Sequence, residues 1–105
     1  MFSNDGSNLR METQVSRSNE QVSADLEGDS IILNVNSGKY YSLNPVGARV
    51  WKLIETPISL ENIHTALLNE YNVESERCKQ DLFHLMQKLV DAGLVLVIDK
   101  TERKE

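Results

Sequence analysis

Apolar and polar positions along this chain change period partway through, and the change marks out its elements. From residue 21 to 26 they alternate: Val22, Ala24 and Leu26 point one way, Ser23 and Asp25 the other. Glu27-Gly28-Asp29 then supplies turn chemistry. Residues 30–34 are rich in β-formers, Asn36-Ser37-Gly38 reads as a hairpin turn, and residues 39–43 form a further strand. The first half therefore predicts a three-stranded antiparallel meander.

At Asn44-Pro45 the period lengthens to that of a helix. Asn44 can accept from the orphan amides of a first turn, and Pro45 suits the first helical position, where its missing N–H costs nothing. Val46, Val50, Leu53 and Ile54 form one stripe with Trp51, and Thr56-Pro57 stops that helix. Ser59 caps a second helix with the stripe Leu60, Ile63, Leu67 and Tyr71. A third helix spans about residues 74–92, with Cys78, Leu82, Leu85, Met86 and Leu89 on one face and Gly93 as its stop. Residues 94–98 are a short apolar run that suits a strand or wing. A small sheet packed on a three-helix unit is the α+β solution for this order.

The flanks are read differently. Residues 1–19 carry Ser, Asn, Asp, Gln and Arg with no sustained period, and are expected to be a disordered polar tail. The domain is expected over residues 20–98, with a frayed end at 99–105. The 105 residues suit one domain, and the net charge of -5 argues against a phosphate-binding face. One cysteine, Cys78, permits no internal disulfide. No stretch approaches the ~20 apolar residues needed to span a bilayer. With no basic-then-apolar N-terminal signal, the expected location is the cytoplasm.

Catalysis finds little support. His64 and His84 fall on different helices and read as surface or boundary residues. Cys78 sits on an apolar stripe, where a free thiol acts as a small hydrophobe. No Cys/His cluster has metal-ligand spacing, no Gly-rich loop leads into a helix, and no cofactor is implied. The second and third helices do resemble a helix-turn-helix, so the rival reading is a winged-helix DNA-binding regulator. Between residues 59 and 93, however, six acidic side chains face three basic ones, which phosphate would repel. Phe83 and Val90 widen the apolar band of the third helix. Either the tail or the 94–98 run covers that band, or it forms a groove for a partner. The 39–43 strand, if it lies at a sheet edge, invites an added strand.

The run Leu33, Gly38-Lys39-Tyr40-Tyr41-Ser42-Leu43-Asn44 and Gly47-Ala48-Arg49-Val50-Trp51 resembles the PqqD-like family, the peptide-recognition domains of ribosomally made peptide biosynthesis. The resemblance continues through Leu67, Tyr71, the leucines from Leu82 to Leu89, and Ala92-Gly93-Leu94-Val95. It implies a winged-helix-like fold of three strands followed by three helices. It implies a non-enzymatic adaptor that binds the leader segment of a precursor peptide as an extra antiparallel strand. Carried onto this chain, the site is Lys39, Tyr40, Tyr41, Ser42 and Leu43, facing Cys78, Asp81, Leu82 and Leu85. The implied partners are the precursor peptide and a separate maturation enzyme, such as a lasso-peptide leader protease or a radical enzyme.

Overall fold

The computed structural model describes residues 9–98. The elements are β1 (Gln14–Arg17), β2 (Gln21–Leu26), β3 (Asp29–Asn34), β4 (Tyr40–Leu43), α1 (Pro45–Leu53), β5 (Ile58–Ser59), α2 (Leu60–Glu70), α3 (Ser75–Asp91) and β6 (Val95–Ile98). They make two antiparallel sheets, ordered β2-β3-β4 and β5-β1-β6, against three helices. The winged-helix-like α+β class expected from the sequence is the class found.

Local chemistry explains the helix starts. The Asn44 side chain accepts from the Gly47 amide at 2.9 Å, and Pro45 opens α1. Ser59 does the same for α2 through the Asn62 amide at 3.1 Å. Such caps each contribute about 1 kcal/mol. Gly47 allows a close approach: a Cβ there would lie 3.3 Å from the Leu43 Cβ and 3.4 Å from the capping Asn44 oxygen, tighter than most such contacts. The first turn of α1 can thus close onto the end of β4, which gives the Asn-x-x-Gly spacing its physical reason.

One core joins both sheets and all three helices. Its largest member is Trp51, 1% exposed. Its indole N–H donates to Ser23 Oγ at 3.2 Å, and the Arg17 guanidinium lies over the ring, 4.4 Å from its centroid. Arg17 also donates twice to the Trp51 carbonyl, at 3.0 and 2.8 Å. Burying an indole of ~200 Å² is worth about 5 kcal/mol before entropic costs. Away from the core, Arg49 clamps α1 to the end of α2 through two bonds of 2.8 Å to Glu70. Hydrogen bonding to Arg49 lowers the Glu70 pKa. The clamp therefore holds above the ordinary carboxylate range and is lost only as pH falls through the lowered value.

The structure corrects two expectations and completes a third reading. The tail assigned to residues 1–19 holds a strand, β1, which pairs with β6 from Gln14↔Ile98 to Arg17↔Val95 and with β5 at Gln14↔Ser59 and Val15↔Ile58. Val15 is fully buried and Ser18 is 3% exposed, so order begins well before residue 20; residues 1–8 and the expected frayed end at 99–105 lie outside the described residues. His64, expected at the boundary, is buried, and its Nε2 lies 2.9 Å from the Ser75 carbonyl, joining α2 to the start of α3. The alternation in β2 keeps its period, but the apolar side faces out: Val22 is 60% and Leu26 51% exposed. On the other side of the strand, half-buried Ser23 is bound to Trp51, and Asp25 accepts from the buried Ser30 hydroxyl at 2.9 Å.

Val15→Ala is expected to cost about 2 kcal/mol in urea unfolding, the sum of lost transfer energy and a partly unfilled cavity. Val22→Ala, on the outer face, is expected to change stability by under ~0.5 kcal/mol.

Candidate peptide-binding groove

Among the described residues, strand β4 is a sheet edge, paired with β3 alone. The register decides which of its backbone groups are free. The Asn34 amide donates to the Lys39 carbonyl at 2.9 Å. Antiparallel pairs alternate between bonded and non-bonded. With Ile32 opposite Tyr41 and Ser30 opposite Leu43, Tyr41 and Leu43 turn their N–H and C=O groups to β3. Tyr40 and Ser42 turn theirs to the open edge.

Beside that edge lies a cavity of about 480 Å³. Leu43, Val46, Gly47 and Val50 form one side and the α3 residues Cys78, Leu82 and Leu85 the other, with Leu67, Tyr71 and Val73 closing one end. Arg77, Asp81 and Lys88 are its charged lining groups. The separation of β4 from α3 is set at the far end of the hairpin. There the buried Asn34 side chain donates to the Ala92 carbonyl at 2.7 Å and accepts from the Asn36 amide at 2.9 Å and the Ser37 amide at 3.2 Å.

Of the nine residues named from the sequence, six line this cavity: Ser42, Leu43, Cys78, Asp81, Leu82 and Leu85. The other three do not. Lys39 precedes the strand, Tyr40 is 71% exposed on the outer face, and Tyr41 packs half-buried against the core. Val46, Val73, Tyr71, Arg77 and Lys88 also line the cavity and were not named. Val46 counted as part of the α1 core stripe, yet it is 43% exposed at the groove. Val73 lies between helices, where no periodicity can signal it. The wide band of α3 divides: Phe83 and Val90 pack against the core, Leu85 lines the groove, and β6 packs against α3.

Cys78 is a buried free thiol, its pKa raised first by burial and then by the nearby Asp81 carboxylate. That is the reverse of what a nucleophile needs. Among the described residues, no group of three or more His, Cys, Asp or Glu side chains is placed to hold a metal ion. Nor is any helix among them long and apolar enough to cross a membrane.

The arrangement defines a winged-helix-like α+β domain with an apolar cleft along one free sheet edge. Residues 29–95 match the family described as coenzyme PQQ synthesis protein D, and the chain belongs to that PqqD family. Two solved structures share its fold. TbiB1, in complex with the TbiA(beta) leader peptide, aligns with a TM-score of 0.72 at 30% identity, over 76% of this chain and 93% of that one. A lasso peptide synthetase B1 complexed with the leader peptide aligns with a TM-score of 0.69 at 24% identity, over 78% and 96%. No curated protein matches the chain.

At pH 8, Cys78 is expected to react with iodoacetamide several-fold more slowly in the folded chain than in urea. The pH midpoint of the folded reaction is expected above that of the unfolded thiol, because the raised pKa leaves less thiolate at any given pH. A folded rate equal to the unfolded one would show the thiol to be open.

Proposed function

We propose that this chain is a cytoplasmic, non-enzymatic adaptor that binds the leader segment of a ribosomally synthesised precursor peptide. It presents that peptide to a separate maturation enzyme, a lasso-peptide leader protease or another modifying enzyme. The observation that carries this reading is the free edge of β4 opening onto an apolar groove walled by α3. An extended peptide on that edge gains main-chain hydrogen bonds from Tyr40 and Ser42, while alternate side chains enter the groove. Leu43, Cys78, Leu82 and Leu85 contact those side chains, Asp81 edges the groove, and Lys39 and Tyr41 support the strand at either side of Tyr40. Membership of the PqqD family and the likeness to TbiB1, solved with a leader peptide, support the same reading. The charge of α3 disfavours the DNA-binding alternative: Arg77 is engaged with Asp81, and Glu74 and Glu76 stand beside it at the exposed start of the helix.

A labelled leader peptide from a candidate precursor found near this chain's gene is expected to bind with a dissociation constant at or below tens of micromolar by fluorescence anisotropy. Absence of binding in that range would sink the proposal. Tyr40→Pro removes an outward amide and none that serves β3. It is expected to keep the thermal midpoint and to weaken leader binding at least threefold to tenfold, about the worth of one hydrogen bond. Undiminished affinity would move the docking edge elsewhere. Adding the chain to the purified maturation enzyme is expected to speed processing of a full precursor but not of one lacking its leader.

A further inference from the structure

We propose that the groove selects peptide strands carrying an acidic side chain at the end that lies beside the C-terminus of α3, where Lys88 and Lys39 read it. The inference rests on the peptide-binding reading above and adds the charge chemistry of the ligand. The chain has 16 acidic and 11 basic side chains, so basic surface is scarce. The groove inverts that balance: its charged lining is Arg77, Asp81 and Lys88. Arg77 and Asp81 satisfy each other across one turn of α3, at 3.8 Å. Lys88 forms no ion pair among the described residues, and neither does Lys39.

Topology brings these two cations to one end. The Asn34 side chain pins the β3–β4 turn to the Ala92 carbonyl, just past the last turn of α3. Lys39 closes that turn, with its carbonyl accepting from the Asn34 amide, and Lys88 lies in the last turn of the helix. Arg77, eleven residues earlier on α3, marks the opposite end. At ~1.5 Å per residue that separation is about 16 Å, the length of about five residues of extended strand. A peptide lying antiparallel to β4 passes Tyr40 with its C-terminal end. Its acidic residue therefore falls at the C-terminal end of the docked segment, after the apolar residues that fill the groove. A lysine in a last helical turn also suits the helix dipole. That role would act on stability alone and leave ligand choice untouched, which separates the two in experiment.

The test is selection from a randomised dodecapeptide display library at low salt, against the wild-type chain and against Lys88→Glu, with folding of both checked by thermal melting. Wild-type winners are expected to share an apolar core followed by Asp or Glu. Lys88→Glu winners are expected to carry Lys or Arg, or no charge preference, at that same position. A synthetic winner with its Glu replaced by Gln is expected to lose about threefold to fivefold in affinity, the difference shrinking in high salt. Lys39→Glu should reduce the same preference. A peptide consensus with no acidic position, or one identical for wild type and Lys88→Glu, would overturn the inference and leave the peptide-binding reading standing. Enrichment of no peptide by either protein would overturn both.

Discussion

A single buried amide sets the geometry on which the groove depends. Asn34 is 6% exposed, and its side chain uses both ends: the nitrogen donates to the Ala92 carbonyl, and the oxygen accepts from two amides of the turn that leads to β4. Removing either partner would leave a buried polar group unpaired, at about 1–3 kcal/mol. The consequence is positional as well as energetic. The bond ties the hairpin, and hence β4, to the end of α3 at one fixed distance. Gly93 shares in this: it takes φ +76, and a Cβ there would lie 3.1 Å from the Asn34 nitrogen. The helix stop and the hairpin anchor are one packing problem.

Around that fixed distance, the hairpin separates support from contact by residue parity. Leu43 is buried and Tyr41 half-buried on the core side, in the same cluster as Val50, Trp51 and Ile54 of the α1 region. The two alternate residues keep their main-chain groups for the outside. A four-residue strand suffices because its rigidity comes from β3, the capped start of α1 and the close approach at Gly47. The Trp51–Arg17 stack then extends the same framework to the second sheet.

What the sequence made legible was local. Asn44-Pro45, Ser59 and Gly93 announce helix ends through hydrogen bonds made within a few residues, and the helical stripes follow from a period of 3.6. The Tyr41 to Trp51 spacing was readable because a cap, a close approach and a core indole fall within eleven residues. The strand β1 was not. Gln14-Val15-Ser16-Arg17 holds one aliphatic side chain, and its partners lie some eighty residues away at Val95–Ile98. Its stability comes from tertiary pairing that no short window contains. In β2 the alternation gave the period but not the sign, because Ser23 and Asp25 have hydrogen-bond partners on the other side of the strand. At the groove, both main walls were legible as an edge strand and a wide apolar helix. Val73 and Val46 were not, since one lies between elements and the other looks like core.

The pairing of Gln14 with Ile98 has a topological consequence. β1 begins where β6 finishes, so Gln14 and Ile98 sit side by side at one corner, the chain just before Gln14 stays bonded to the start of α2, and both ends of the described domain lie in a different sheet from β4. A unit whose entrance and exit coincide can be spliced into a surface loop of a larger protein without stretching either. The same geometry suits a freestanding module and a module embedded in a longer polypeptide, and circular permutation through a short bridge at that corner would leave the hairpin and α3 in register.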